Sequence, residues 1–376
     1  MGPLQGIKVI ELVGIGPGPF VGMLLADMGA QVIAVDRPGQ GDVPQPSVDL
    51  HRRNKQSIIV DLKNDAGKNV FLDLCDDADA LVEGFRPGVV ERLGVGPDCV
   101  LARNARLVYG RMTGWGQDGP LAHAAGHDIS YLSITGALHA IGQSNLPPPP
   151  PLNLVGDYGG ALFLAFGLVS AIVHARATGK GQVVDAAMVD GVNLMMGLFH
   201  GLDASDMWHK QRSANFVDGG APYYRVYATS DGKFVSLGAL EYPFLQEFVE
   251  KSGAPQEVLR AHNNPSYWSA TTTILEEFFR QRTQREWCEL LEGSDACVAP
   301  VIPFWEASKH PHNRGRSAFV DIDGVSHPAP APRFSETPAT IGAGPATPGA
   351  HTDSLLASLG YSEEKIAGLK RSSAVQ

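Results

Sequence analysis

The sequence predicts an α/β fold in which helices cover both faces of a parallel β-sheet. In the first half of the chain, short β-branched segments alternate with segments of helical length, which is typical of repeated βαβ units. The chain has 376 residues, a length that suits two domains or one large α/β domain with an insertion. After Pro222 the pattern changes to a hairpin followed by helices, which indicates a smaller α+β unit.

The first predicted βαβ unit contains a glycine-rich turn. Predicted strands at 7–12 and 31–35 flank a predicted helix at 20–28. The turn before the helix reads Val-Gly-Ile-Gly-Pro-Gly-Pro, so proline stands where a dinucleotide-binding turn carries its third glycine. Asp36 falls where a ribose-binding acid is expected, so an NAD site stays an alternative, whereas Arg37 beside it suits a phosphate better.

Further strands and helices continue the alternation. We predict strands at 57–62, 80–83, 107–112 and 182–188, and helices at 66–75, 129–134, 159–179 and 194–199. Ligands of parallel sheets bind beyond the carboxyl ends of the strands, where Arg37, Arg86 and Arg111 fall. The basic cluster at 51–55, which includes Arg52 and Arg53, is either an anion clamp or a solvated loop. The proline run at 147–151 is predicted to be a stiff connector.

The second half of the chain predicts a small unit and a polar C-terminal tail. Residues 224–229 and 233–237 alternate around Ser-Asp-Gly, which predicts a hairpin, and Glu241 follows its second strand. Helices are predicted at 243–251, 272–281 and 285–291, then at 353–359 and 362–369. The tail is too polar to fold alone, so we expect it to pack back on the first domain.

Composition limits the classes of partner. The formal net charge is −10 and the pI is about 5.6, which argues against a general surface for nucleic acid or anionic membranes. The four cysteines show no paired spacing, so neither a zinc site nor a disulfide framework is indicated. The N-terminal residues have no signal-peptide pattern, and we expect a cytoplasmic protein with no nucleic-acid or membrane partner.

Two polar residues stand where loops become apolar helices. His127 precedes one such helix and Asp157 precedes the other, near the N-terminal N–H groups and the positive end of each helix dipole. An acid and a base beside donors for an oxyanion would suit removal of a proton next to a carbonyl. The alternative is that Asp157 is only an N-cap and that His127 is structural.

Several motifs identify a resemblance that covers almost the whole chain, from about residue 4 to the segment at 351–353. They are Gly-Ile-Lys-Val-Ile-Glu-Leu (6–12), Glu-Gly-Phe-Arg-Pro-Gly (83–88), Met-Thr-Gly-Trp-Gly-Gln (112–117), Gly-His-Asp-Ile-Ser-Tyr (126–131), Asn-Leu-Val-Gly-Asp (153–157) and Ser-Asp-Ala-Cys-Val (294–298). In these motifs the chain resembles the α-methylacyl-CoA racemases of the family III CoA-transferase superfamily.

The resemblance implies a more specific α/β architecture. It implies a Rossmann-like large CoA-binding domain from residues 1–190 and 310–376, a linker at 191–221 and a small α+β domain at 222–309. It also implies an interlocked homodimer, with each active site between the large domain of one subunit and the small domain of the other. Glu241 would then reach His127 across the dimer, with Asn153 near the same imidazole.

The resemblance further implies racemisation at C2 of a 2-methylacyl-CoA by proton transfer between His127 and Asp157. The acyl-CoA thioester is the substrate, and no metal or redox cofactor is expected. The residues implied to contact the CoA thioester are Arg37, Val60, Asp61, Leu62, Lys63, Val82, Gly84, Arg86, Gly126, Asp128 and Tyr131. Arg52, Arg53 and Arg111 are further candidates for its phosphates. One alternative is a CoA-transferase in which Asp157 is a nucleophile; another is a non-catalytic acyl-CoA-binding protein.

Overall fold

A computed structural model describes residues 2–39 and 46–376. The chain divides into two compact units. The first contains Met1–Thr135, Leu152–Met195 and Arg316–Gln376, and the second contains Gly136–Pro151 and Met196–Gly315. These units differ from the implied domains in that 136–151, 196–221 and 310–315 group with the second unit and 191–195 with the first. The proline run at 147–151 therefore belongs to that unit.

The helices and strands of the described residues follow in chain order. They are β1 (Lys8–Leu12), α1 (Pro17–Asp27), β2 (Gln31–Asp36), β3 (Lys55–Ile59), α2 (Asp65–Cys75), β4 (Ala80–Glu83), α3 (Val89–Leu93), α4 (Pro97–Arg103), β5 (Val108–Thr113), α5 (Asp128–Ile134), α6 (Ala137–Ala140), α7 (Gly159–Thr178), β6 (Val183–Ala187), α8 (Met188–Met195), α9 (Gly197–Ala204), β7 (Tyr224–Ala228), β8 (Phe234–Gly238), α10 (Tyr242–Ser252), α11 (Trp268–Phe279), α12 (Gln284–Leu291), β9 (Val298–Val301), α13 (Pro311–Gly315), β10 (Phe319–Ile322), β11 (Val325–Pro328), α14 (Thr352–Ser358) and α15 (Glu363–Arg371).

The first unit is built on a six-stranded parallel sheet with the order β3-β2-β1-β4-β5-β6. This is the strand order of doubly wound Rossmann folds, in which the order reverses beside β1 and leaves a crevice at the carboxyl ends of the strands. Both faces of the sheet are covered by separate apolar clusters, one containing Phe71 of α2 and the other containing Leu164 and Leu168 of α7. The predicted parallel α/β sheet is confirmed.

The C-terminal tail completes the first unit. Leu356 of α14 and Leu369 of α15 are buried in the same cluster as Phe71. Val375 pairs with Val60, and the N–H of Gln376 donates to the carbonyl of Ile59 at 3.1 Å. The prediction that the tail packs back on the first domain is confirmed, because its few apolar side chains are buried only there.

The second unit contains the antiparallel sheet β7-β8-β9. The predicted hairpin is confirmed, and Trp287, Phe248 and Phe279 are fully buried behind it. Strand β9 and the hairpin β10-β11 of the first unit were not predicted. Each of these three strands has only four residues, and β9 and β11 contain proline, which weakens the sequence signal of a strand.

Other predicted elements differ from the structure in their bounds: the helix predicted at 20–28 is Pro17–Asp27, and the one predicted at 272–281 is Trp268–Phe279. The helix predicted at 194–199 is interrupted at Met196, between α8 and α9. The third strand begins at Lys55 and ends at Ile59, because Val60 pairs with the C-terminal Val375 and the chain then turns. The segment Val60–Lys63 is therefore not a strand.

Helix α7 and the turn before it are unusually apolar. In the part of the chain that the structure describes, Leu154–Thr178 is the one helical segment long and apolar enough to cross a membrane, judged by length and composition alone. Core helices of globular proteins meet the same criteria, and α7 packs Ala161, Leu164 and Leu168 against the sheet. The absence of a membrane partner stays a prediction.

Candidate active site

His127 lies at the start of α5. Its backbone is extended, with φ −136° and ψ 172°, and its carbonyl accepts the N–H of Ser130 at 2.7 Å. His127 is therefore the N-cap of the helix, and Asp128 is its first residue. The His127 side chain is exposed, which leaves the imidazole accessible to a substrate.

Asp157 lies in a π-helical turn, Leu154–Tyr158, that leads directly into α7. Asn153 precedes this turn, and its Nδ2 donates to Asp157 Oδ2 at 3.2 Å. The interpretation of Asp157 as an N-cap was wrong, because its side chain caps no backbone N–H and is held by Asn153 instead. The carboxyl group is half-buried.

The Asp128 carboxylate joins these two segments. Its Oδ1 accepts the N–H of Gly156 at 2.8 Å and the N–H of Asp157 at 2.9 Å. A Cβ at position 156 would lie 2.4 Å from the same oxygen, so only glycine allows this approach. His127 and Asp157 are consequently brought together by the residue that follows His127.

The surroundings of Asp157 favour its protonated form. Burial raises the pKa of the Asp157 carboxyl above its ordinary value, the hydrogen bond from Asn153 lowers it, the negative charge of Asp128 raises it, and a positive charge on His127 lowers it. Burial has the largest effect, and the net change is upward. Asp157 is thus a better proton donor near neutral pH than an exposed aspartate.

A packed aromatic pair lies against Gly126, the residue before His127. The rings of Trp115 and Tyr131 meet edge to face with their centroids 4.7 Å apart. A Cβ at Gly114 would lie 1.9 Å from the Tyr131 ring, and one at Gly126 would lie 2.8 Å from it. Glycine at positions 114 and 126 allows the backbone of both loops to pack closely against the Tyr131 ring. Tyr131 is buried, and burial raises its pKa.

The glycine-rich turn after β1 lies beside Asp157. Gly16 has φ +72°, and a Cβ there would be 3.5 Å from Asp157 Oδ2. Asp36, the candidate ribose ligand of the NAD alternative, is paired with Arg52 through two contacts of 3.0 and 2.7 Å. The carboxylate that an NAD site would require for the ribose is therefore already bound to Arg52.

Most of the candidate phosphate ligands are paired inside the protein. Arg53 pairs with Asp27 at 2.5 Å, and Arg111 lies 3.0 Å from Glu83. The basic cluster at 51–55 is thus neither an anion clamp nor a solvated loop, because its arginines and Lys55 bind buried carboxylates.

Arg37 and Arg86 differ from these arginines. Both side chains are exposed, and each follows the carboxyl end of a strand of the parallel sheet. Within residues 2–39 and 46–376, neither takes part in an ion pair. They are therefore the arginines best placed to meet phosphates.

The other residues implied to contact CoA occupy varied positions. Val82 is fully buried in β4, backbone included, so the expectation that it contacts CoA was wrong, whereas Gly84 directly after that strand is exposed. Asp61 caps the turn beyond β3 by accepting the N–H of Lys63 at 2.9 Å. Leu62 is half-buried beside the core.

Glu241 lies in the second unit, where it is the exposed N-cap residue of α10. Its negative charge contributes, after burial, to raising the pKa of Cys297. Its proximity to His127 stays a prediction.

Sequence reasoning did not single out Tyr158 or the side chain of Asp128. The Tyr158 ring packs edge to face on Phe20 of α1, with the centroids 4.8 Å apart, which holds the turn of Asp157 against α1. The adjacency of Tyr158 to Asp157 was the signal available for it, whereas the Asp128 contact joins positions 28 residues apart. Among residues 2–39 and 46–376, no group of three or more His, Cys, Asp or Glu side chains is arranged to hold a metal ion.

Comparisons with known proteins agree with this architecture. The sequence profile of CoA-transferase family III matches residues 4–352. The alpha-methylacyl-CoA racemase of Mus musculus is 40% identical over 370 residues, covering 97% of this chain and 96% of that protein. The enzyme of the same name from Homo sapiens is 40% identical over 367 residues, covering 96% and 95%. The crystal structure of a CAIB/BAIF family protein from Brucella suis has the same fold, with a TM-score of 0.82 and 24% identity over 95% of this chain and 99% of that one.

Proposed function

The chain belongs to CoA-transferase family III, and we propose that it is an isomerase that racemises 2-methylacyl-CoA thioesters at C2. The observation that carries the proposal is the pairing of an accessible imidazole, His127, with a half-buried carboxyl, Asp157, whose pKa is raised by burial. The 40% identity to two alpha-methylacyl-CoA racemases supports the same reaction and substrate class.

In the proposed reaction, one of the two residues removes the proton from C2. The electron pair of the C–H bond moves into the thioester carbonyl and forms an enolate. The other residue then donates its proton to the opposite face of C2, which inverts the configuration. One direction starts with neutral His127 and protonated Asp157, and the reverse direction starts with charged His127 and ionised Asp157, so the pair carries the same single proton in both.

The enolate oxygen requires stabilisation, because a proton next to a thioester is a far weaker acid than an imidazolium ion. Asp128 is the first residue of α5, so its N–H has no acceptor within the helix and lies at the positive end of the helix dipole. We assign this N–H as a donor to the enolate oxygen.

CoA enters the site as part of the substrate, and the proton transfer requires no metal or redox group. We assign the CoA phosphates to Arg37 and Arg86, because both are exposed at the carboxyl ends of parallel strands. A guanidinium group suits phosphate geometry through two parallel hydrogen bonds.

We further propose that the enzyme is a homodimer in which Glu241 of the second unit orients His127 across subunits. Three apolar side chains on α7 support an interface: Leu162, Phe166 and Val173 are 55%, 74% and 66% exposed. A helix stripe of this kind is unfavourable in water and is typical of an association surface.

CoA transfer is the second candidate function, because it is the activity for which the family is named. In that reaction the Asp157 carboxylate attacks the donor thioester and releases CoA thiolate, giving a mixed anhydride. The thiolate then attacks the aspartyl carbonyl, releases the donor acid and leaves an aspartyl-CoA thioester. The accessible imidazole of His127 beside Asp157 favours the racemase, because racemisation requires a second acid–base group and the transferase mechanism does not use one.

The test uses one enantiomer of a 2-methylacyl-CoA in deuterated water, with C2 followed by NMR and chiral analysis. Deuterium at C2 together with loss of enantiomeric purity is expected, and His127→Ala should slow both by roughly 100- to 10,000-fold. His174→Ala removes an exposed histidine of α7 and is the matched control. Retained configuration with CoA transfer to an added carboxylic acid would favour the transferase instead.

The His127→Ala variant also distinguishes an enzyme from a protein that only binds acyl-CoA. If His127→Ala keeps its affinity for the acyl-CoA but loses exchange, the protein is an enzyme and His127 acts in the chemistry. An unchanged exchange rate in His127→Ala would remove His127 from the mechanism.

A further inference from the structure

The Asp128 side chain has an unusual environment for a carboxylate. It is only 7% exposed, and among residues 2–39 and 46–376 it takes part in no ion pair. Its Oδ1 instead accepts two backbone N–H groups, those of Gly156 and Asp157, at 2.8 and 2.9 Å. A buried carboxylate without a cation is costly unless such hydrogen bonds replace its hydration, so this contact has to form for the loop to fold as it does.

The contact connects two segments that are distant in the chain. Asp128 is covalently attached to His127 and hydrogen-bonded to the backbone of Asp157. Because Asp128 is the first residue of α5, and the two amides belong to the helical turn that leads into α7, the contact sets one helix start against the other. Gly156 permits it, since a Cβ there would lie 2.4 Å from Oδ1.

We propose that the Asp128 carboxylate is a positioning residue, which holds the turn of His127 and the turn of Asp157 in the relative geometry that proton transfer across C2 requires. This inference rests on the proposed racemase function. It assigns Asp128 a side-chain role in addition to the enolate contact of its backbone N–H.

The carboxylate also has an electrostatic effect that an uncharged acceptor would lack. The ionisable groups whose charges interact with Asp157 are His127, Asp128, Tyr131 and Tyr158. Of these, Asp128 raises the pKa of Asp157 and a charged His127 lowers it, while burial remains the largest cause of the upward shift. Asp128 therefore helps to keep the proton on Asp157 when His127 is neutral.

Two substitutions of Asp128 distinguish the effect of its hydrogen bonds from the effect of its negative charge. Asp128→Asn keeps an oxygen that can accept both N–H groups and removes the charge, whereas Asp128→Ala removes both. We expect Asp128→Ala to lower kcat for C2 exchange about 100-fold with KM within about threefold, because displaced groups of a proton-transfer pair lose rate steeply. Asp128→Asn should recover at least a tenth of the wild-type kcat.

The pH profile provides the readout that a purely structural role would not change. Because the pair shares one proton, the acid limb of the exchange profile reports the lower macroscopic pKa of the pair, to which Asp157 contributes. Loss of the Asp128 charge lowers the pKa of Asp157, and the acid limb of Asp128→Asn should move to lower pH. Asp98→Asn, which changes an exposed aspartate on α4, should move neither the limb nor kcat.

A measurement without substrate keeps this inference independent of the proposed function. The Asp157 carboxyl can be titrated by carbon NMR in protein labelled at aspartate, with the signal assigned by its loss in Asp157→Asn. Amide hydrogen exchange in a peptide covering 153–158 reports the two hydrogen bonds. Asp128→Ala should expose these amides, and Asp128→Asn should protect them while lowering the Asp157 pKa.

The outcomes are distinct. Wild-type protein without C2 exchange would overturn the proposed function, while the titration and amide exchange would still decide the role of Asp128. Wild-type kcat in Asp128→Ala, or an unchanged Asp157 titration in Asp128→Asn together with unchanged amide protection in Asp128→Ala, would overturn the positioning role.

Discussion

The buried ion pair between Lys55 and Glu11 predicts a large effect of a single substitution. Lys55 Nζ lies 2.5 Å from Glu11 Oε2 and donates to the carbonyl of Pro19 at 2.8 Å. Both charged side chains are 1% exposed. Lys55→Met would leave the Glu11 carboxylate buried without its cation, which costs about 3–5 kcal/mol of unfolding free energy. For a unit of this size the melting temperature should fall by about 10 °C.

The pH dependence of that loss has a defined sign. Burial raises the pKa of Glu11 above its ordinary value, and Lys55 lowers it. Without Lys55, the folded protein binds a proton at Glu11 more tightly than the unfolded chain does. Stability of Lys55→Met then decreases as pH rises through that range. The deficit relative to wild type should therefore be largest near pH 8 and smaller near pH 5.

Thermal and urea denaturation measure both effects. The double variant Glu11→Gln, Lys55→Met contains no buried charge at this position and should regain most of the lost stability. Lys180→Met alters an exposed lysine and serves as the control. A loss below about 1 kcal/mol in Lys55→Met, or a double variant no more stable than the single one, would refute the reasoning.

Other substitutions test the CoA site, the aromatic pair and the interface. Arg37→Ala should raise KM for the acyl-CoA about tenfold without changing the melting temperature, whereas Arg52→Ala should lower the melting temperature because Arg52 pairs with a carboxylate of β2. Steady-state kinetics and thermal denaturation distinguish the effect of Arg37→Ala from that of Arg52→Ala. A KM of Arg37→Ala equal to that of the wild type would contradict the assignment of Arg37 to the phosphates. Gly114→Ala should cost about 1–3 kcal/mol, measured in urea, because the added methyl overlaps the Tyr131 ring; wild-type stability would exclude that packing. Phe166→Glu should shift the mass measured by light scattering toward the monomer, and an intact dimer would place the interface elsewhere.

Local patterns in the sequence were enough to predict much of the fold. The alternation of strands and helices at the N-terminus, the hairpin at 224–238 and the long apolar helix after Asp157 were confirmed. Each of these depends on periodicity and turn chemistry within a few consecutive residues. Strand β9 was missed because it is a four-residue edge strand containing Pro300, and its pairing with β8 supplies what its own sequence lacks.

The candidate site, like the fold, could be predicted from the sequence only in part. The loop-to-helix transitions at His127 and Asp157 were visible in the sequence, and the motif resemblance selected them from many possible caps. The sequence could not indicate that Arg52, Arg53 and Lys55 pair internally, because their partners lie between 16 and 44 residues away. Charge alone does not distinguish a ligand-binding arginine from a structural one.

By itself, the sequence determined the α/β class and the order of most elements, and it selected the two residues at the centre of the proposed site, because these follow from local patterns and recognisable motifs. Only the tertiary structure decided which charges are available and how the two central residues are held together. The carboxylate of Asp128 reaches the amides of Gly156 and Asp157 across 28 and 29 positions of the chain. Such a contact depends on how the parallel sheet places separate helix starts side by side, and no local pattern records it.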